Sequence, residues 1–308
     1  VFSGIGKTTK EIIYAIEKNI LLINAESQSE IKEINRIAKL KRKSVQIGIR
    51  LNPNTDANTL SQISTGKKEN KFGVNKKTFF ELVKYCQNSS NLELKCISVH
   101  IGSQILNHQP YERMLKVLDK VIDKTKHKFE YIDLGGGMGI SYSNENKGLN
   151  YKKYNIAIKK FLKKHNSKII FEPGRSIIGN VGSLISEITY IKQSERKNFI
   201  ILDTAMNDLI RPALYGAEHK ILPSIKKNKK SKKTYEFVGP ICESTDKFKT
   251  INKFQKLEER DIVVMCDVGA YGMSLSSNYN VRPKPVELLI KGSKIKVIKK
   301  RQKHKDLI

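Results

Sequence analysis

Tyr131-Ile132-Asp133-Leu134-Gly135-Gly136-Gly137-Met138-Gly139-Ile140 reads as an apolar strand that closes on four glycines within five residues. Glycine lets backbone N–H groups come close to an anion such as a phosphate, although glycine clusters also punctuate ordinary turns. The neighbours of this stretch repeat its design. Cys96–Ser103 precedes it and Ile169–Arg175 follows it, and further upstream lie Val1–Gly4, Leu21–Ser27 and Val45–Asn52. Each is a β-rich run ending in small or polar residues, and most are followed by a helical pattern. Lys10–Lys18 is one such helix and Ser29–Leu40 another, the latter with Ile31, Ile34 and Ala38 at helical spacing behind Ser29 as N-cap. Strand alternating with helix predicts βα units and a parallel sheet. In a barrel built this way the strands' C-terminal ends, where the polar and glycine residues gather here, carry the chemistry.

Six units of this kind are legible, whereas a closed barrel has eight. Two units are therefore expected to lie upstream of Val1, and the sequence as it stands reads as a fragment. Beyond about residue 184 the regular helices cease, and Leu184–Lys192, Phe199–Asp203, Tyr235–Val238, Asp261–Cys266 and Val286–Ile290 predict a mostly antiparallel β domain. The expected division is a barrel domain over 1–183 and a β domain over 184–308.

Composition sets outer bounds. A 308-residue chain with 39% hydrophobic residues can bury one large or two smaller cores, and it contains no uninterrupted apolar run of membrane-spanning length. A cytoplasmic protein with no membrane partner is expected. Four cysteines without CxxC or Cys/His spacing argue against a disulfide framework and a zinc site, so no metal is expected. The net charge of +28 could mark a nucleic-acid footprint. Its lysines, however, are dispersed or gathered in runs such as 226–233, with no interleaved aromatics to stack on bases. A solvated, lysine-rich surface is the expectation, with no nucleic-acid partner.

Two further strand ends carry reactive groups. Glu172-Pro173-Gly174-Arg175 sets a carboxylate, a rigid turn and a guanidinium where Ile170 ends its strand. Arg suits bidentate recognition of phosphate or carboxylate, and a buried Glu could hold a pyridine nitrogen protonated, as an electron-sink cofactor requires. His100-Ile101-Gly102-Ser103 places an imidazole, able to stack on a flat ring, three residues before a hydroxyl. Alone, each has an ordinary structural reading: a surface ion pair, or a satisfied structural histidine.

These three segments stand in this order with Asp203–Tyr215, Val238–Asp246 (which contains Cys242-Glu243-Ser244) and Gly269-Ala270-Tyr271-Gly272-Met273-Ser274. The ordered set resembles the alanine-racemase-like PLP-dependent decarboxylases, and among them the diaminopimelate decarboxylase family. The resemblance extends to 1–7, 24–27, 63–73 and 276–285. One departure is Thr204-Ala205, where the family usually has Ala-Gly. The resemblance implies a (β/α)8 barrel of the alanine racemase type, lacking its first two βα units here, followed by the β domain. Pyridoxal 5'-phosphate is the implied cofactor, with His100 on its ring, Glu172 at the pyridine nitrogen, and Ser103, Gly135, Gly136, Gly137, Gly174, Arg175 and Tyr271 around it. It also implies substrate contacts from Arg175, Arg211, Tyr215, Glu243 and Tyr271, and Cys242 as proton donor.

The activity so implied is decarboxylation of meso-2,6-diaminopimelate to L-lysine and CO2, the last step of lysine biosynthesis, by a homodimer that shares its active sites. The family's cofactor-linking lysine lies upstream of Val1, and Lys7 belongs to a different family segment, so the sequence as it stands is expected to be inactive alone. Alternatives are a sister decarboxylase acting on ornithine, arginine or carboxynorspermidine, and a non-catalytic PLP-binding barrel. Arg211 with the Asn207–Tyr215 segment speaks against the first. The second lacks a β domain with a Cys-Glu pair.

Overall fold

A computed structural model describes residues 1–57, 65–66, 70–142, 148–195, 197–227 and 233–308. The chain divides into two compact units, Val1–Ile140 with Lys147–Arg175, and Ser141–Asn146 with Ser176–Ile308. Most of the lysine run at 226–233, and part of the 63–73 segment, lie outside the described residues.

In the first unit β1 (Ile23–Ala25), β2 (Val45–Arg50), β3 (Leu92–Ser98), β4 (Tyr131–Asp133) and β5 (Lys168–Ile170) form one sheet in chain order. Every pair is parallel. Such a sheet buries both faces, which is why Ile47, Ile49, Ile97 and Ile132 are fully enclosed. The cover comes from α1 (Thr9–Glu17), α2 (Gln28–Leu40), α3 (Lys76–Gln87), α4 (Gln109–Thr125) and α5 (Tyr151–Leu162), whose Ile12, Ile34, Phe79, Leu118 and Tyr154 join the same core. The fully extended strand predicted over Val1–Gly4 reduces to a single parallel bridge from Phe2 to Ile23. Five strands and this bridge therefore stand where six strands were expected.

The strands also stop earlier than their apolar runs. Past the ladder, single bonds such as Val99 N–H to Asp133 O and Leu134 N–H to Ile170 O carry the chain outward, so the glycines and charges lie on loops. The N-cap of α2 is Ser27, not Ser29. Ser27 has extended backbone and its hydroxyl accepts from Glu30 N–H, whereas Ser29 is already helical. Thr8 opens α1 with a capping box to Glu11. Arg175 starts the short helix α6 (Arg175–Ile178) rather than ending a strand.

The second unit is built on a six-stranded sheet of β6 (Leu184–Gln193), β7 (Lys197–Leu202), β8 (Ile221–Pro223), β9 (Thr234–Val238), β10 (Lys247–Asn252) and β11 (Ile262–Met265). Its order is β10-β9-β7-β6-β11-β8, antiparallel except for the β7–β9 pair. A five-residue helix, α7 (Arg211–Tyr215), follows β7, and β12 (Glu287–Lys291) with β13 (Lys294–Lys299) forms a separate hairpin. Three of these strands escaped sequence reading for physical reasons. β8 is three residues long, β10 buries only Phe248, and the lysine-rich β13 buries nothing. Among the described residues no helix is long and apolar enough to cross a membrane.

Candidate active site

Asp133 closes β4 with its carboxylate fully buried. It accepts from Gly135 N–H at 2.8 Å and from Asn24 Nδ2 at 2.7 Å, which pins the start of the glycine turn. The turn then demands glycine. Gly135 and Gly137 have φ of +63° and +89°, and a Cβ on Gly137 would lie 2.1 Å from Gly102 O. The bare backbone is thus what lets this turn sit against the loop after β3. From that turn Gly136 N–H donates to His100 Nδ1 at 3.1 Å, so the imidazole is an acceptor there and carries its proton on Nε2. Burial, and then the charge of Arg50, lower the His100 pKa from 6.5 to about 4, so the ring is neutral at pH 7.

The next strand end completes the cluster. Glu172 donates its N–H to Gly135 O at 2.8 Å, and its carboxylate accepts from the Ser3 hydroxyl. Its side chain is exposed rather than buried, because it lies past the last paired residue of β5. Burial, and then the negative charge of Glu172, raise the Asp133 carboxyl well above the usual range. Arg175 is buried and donates from Nη2 to the Ser103 hydroxyl at 3.2 Å. Gly174 is open: a Cβ there would meet nothing within 4 Å. His100, Ser103, the glycine turn, Glu172, Gly174 and Arg175 therefore all lie on the segments that leave three successive strands, β3, β4 and β5.

Sequence reading missed the buried charges beneath them. Lys7 donates from Nζ to Glu30 at 2.7 Å, to Asn24 O at 2.8 Å and to Gly4 O, which uses all three of its protons. Glu26, at the end of β1, accepts from Arg50 Nη1 at 2.6 Å and from Gly73 N–H at 2.8 Å. Arg50 in turn reaches His100 O and lies over the Phe72 ring at 4.9 Å. The signal was available: Arg50 and Glu26 are charges at the ends of otherwise apolar runs, positions that burial makes costly without a partner.

In the second unit Arg211 opens α7 and is buried, with its Nη1 2.8 Å from His219 Nε2 and its guanidinium over the Tyr142 ring at 4.7 Å. Tyr215, four residues on, is half-buried. The Pro240–Asp246 turn is anchored from inside by Asp246, which accepts from Met206 N–H at 2.7 Å and Ile241 N–H at 2.8 Å. Cys242 is an exposed free thiol on this turn. Beside it the Glu243 carboxylate accepts from Thr245 Oγ1 at 2.6 Å and from the Tyr279 hydroxyl at 2.9 Å, and these bonds lower its pKa. Tyr271 adopts the left-handed conformation, φ +60°, in the Gly269–Gly272 turn.

Residues 1–179 match the family model described as the pyridoxal binding domain of pyridoxal-dependent decarboxylases. The chain belongs to the pyridoxal-dependent decarboxylases. Relatives of this decarboxylase extend over both units. It is 39% identical over 307 residues to the diaminopimelate decarboxylase of Aquifex aeolicus, covering 99% of this chain and 73% of that protein. The Haemophilus influenzae diaminopimelate decarboxylase is 38% identical over 311 residues, covering 100% of this chain and 74% of that one. The crystal structure of the Helicobacter pylori diaminopimelate decarboxylase complexed with L-lysine superposes with a TM-score of 0.92 at 40% identity, over 99% of this chain and 77% of that chain. The fold is thus that of a decarboxylase (β/α) barrel followed by a mostly antiparallel β domain, as the motifs led one to expect.

Proposed function

We propose that this decarboxylase acts on meso-2,6-diaminopimelate, releasing CO2 and leaving L-lysine, with pyridoxal 5'-phosphate as its cofactor. The observation that carries the reading is whole-chain identity of 38–39% to proteins of that activity, spanning the strand ends of the first unit and the Arg211–Glu243 region of the second.

The strand-end groups fit the cofactor. Open space at Gly174 with the Ser103 hydroxyl and the Arg175 guanidinium suits a phosphate, and Gly135–Gly137 would line it. Neutral His100 offers a flat face without a second positive charge beside a protonated pyridine, and Glu172 is the carboxylate for that nitrogen. When bound, the cofactor supplies an electron sink for the pair left as CO2 departs. Arg175, Arg211 and Tyr215 would hold substrate carboxylate, and Glu243, kept ionised by Thr245 and Tyr279, would hold ammonium. Cys242 Sγ–H would deliver a proton to the carbon that lost CO2 and regain one from solvent, to which it is open. Tyr271 would close on cofactor and substrate. We assign a homodimer in which Cys242 and Glu243 serve the partner's site, working in the cytoplasm, with the barrel domain as 1–183 and the β domain as 184–308.

The test is CO2 and lysine release by the full-length holoenzyme from meso-diaminopimelate and from ornithine. Turnover of the first and neglect of the second is expected. Comparable turnover of ornithine would overturn the substrate assignment.

A further inference from the structure

We infer that His219 is a positioning residue for substrate recognition, fixing the Arg211 guanidinium that meets the carboxylate on the substrate's non-reacting end. The inference rests on Arg211 being a substrate-gripping group.

The chemistry of the pair fixes its own protonation state. Arg211 and His219 are 5% and 2% exposed, with Nη1 2.8 Å from Nε2. A guanidinium has only donors, so Nε2 must be the bare acceptor nitrogen and the ring proton must sit on Nδ1. Nδ1 then donates to Cys266 O, 2.9 Å away. Both ring nitrogens are committed, and the imidazole has one tautomer and one orientation. The Tyr142 ring adds a further constraint, with its centroid 4.7 Å from the Arg211 Cζ and its plane edge-on to His219 at 5.2 Å.

The mounting explains why a histidine is used. Arg211 stands on α7, a helix too short to be rigid by itself, which ends at Gly216 with φ +60°. After Gly216 the chain turns back, and His219 leads directly into β8. Lys220 O accepts from Cys266 N–H at 2.8 Å, continuing the β8–β11 ladder by one step. His219 is therefore held to the sheet by the ladder bond of its neighbour Lys220 and by its own bond to Cys266 O. Its Nε2 passes that rigidity to the Arg211 guanidinium, 2.8 Å away.

The two amide variants separate the nitrogens. His219→Gln keeps an acceptor near the Nε2 position, and His219→Asn keeps only a donor near Nδ1. In the holoenzyme, His219→Asn should raise KM for meso-diaminopimelate about 10-fold with kcat within about 3-fold, because what is lost is binding common to ground and transition states. The Kd for L-lysine, which keeps the non-reacting carboxylate, should rise by the same factor. His219→Gln should keep both constants within about 3-fold of the original. Melting temperature and the bound cofactor's absorbance should stay unchanged in both. An unchanged KM in His219→Asn, or rescue by Asn and not by Gln, would overturn the inference by showing that His219 only pegs Cys266. Should His219→Asn fail to fold, His219→Gln decides alone, and a 10-fold rise in its KM would be fatal. An Arg211→Gln arm keeps the two readings apart. If that variant leaves KM and the lysine Kd unmoved, the role given to Arg211 fails; if it raises them while His219→Asn does not, only the role of His219 fails.

Discussion

Around the strand ends of the first unit charges are held by other charges, whereas the reactive turn of the second unit is held by backbone and reaches the surface. Arg50 is 9% and Glu26 3% exposed at the side chain, and Lys7 and Glu30 are nearly as deeply enclosed. Cys242 and Glu243 lie in the open, while Asp246 secures their turn from beneath through Met206 and Ile241 N–H. The contrast follows from what each region has to do. A cofactor ring needs dry, preset partners, and charges can be kept dry only in pairs. A proton donor must be recharged from water after each turnover, so it cannot be sealed in. Damage to the first region should therefore appear as lost stability, and damage to the second as lost turnover.

The largest effect expected is from Arg50→Met. It leaves Glu26 as a buried, unpaired carboxylate and removes the cation stacked on Phe72, which should cost about 3–5 kcal/mol in urea unfolding. A loss under about 1 kcal/mol, the range of a surface pair, would erase the distinction between the two regions. Cys242→Ala is the counterpart. It should lower turnover by roughly 10²-fold while leaving the cofactor's absorbance unchanged and stability within about 0.5 kcal/mol. A variant that unfolds as readily as Arg50→Met would show that the turn is structural instead.

What was legible in the sequence follows the same division. The strand ends could be read because glycine clusters and charges at the close of apolar runs recur there as an ordered set, although each alone also fits an ordinary turn or ion pair. Gly137 and Arg175 belong to that set. Where the strands stop could not be read, since Leu134 and Val99 are as apolar as the paired residues before them and only the hydrogen bonds differ. In the second unit β10 and β13 alternate lysine with isoleucine, valine, threonine or phenylalanine, and a strand with one buried residue or none has no hydrophobic period to detect. His219 was silent for another reason. Its partners Arg211, Cys266 and Tyr142 are 8, 47 and 77 residues away, and no local spacing predicts such a meeting.

The smallest effect concerns pH, and it probes whether the dry region is as dry as its geometry implies. His100 is held neutral by burial and by Arg50, with its pKa lowered from 6.5 to about 4. In the unfolded chain the same ring takes up a proton near pH 6.5, so acid favours unfolding. The stability this residue contributes is whole above pH 6.5 and is lost as pH falls through 4. By pH 5 the loss should reach about 2 kcal/mol. Asp133 works in the opposite sense. Burial and the charge of Glu172 raise its pKa, so the folded state binds a proton there more readily than the unfolded chain, and acid relieves a buried charge. In His100→Gln only that second contribution remains, because the amide oxygen can still accept from Gly136 N–H but takes up no proton. Unfolding in urea at pH 7 and pH 5 should therefore show the parent protein weakening by more than the variant. Equal weakening in both would mean that water reaches the His100 ring freely, and the neutral imidazole assigned to the cofactor face would lose its physical basis.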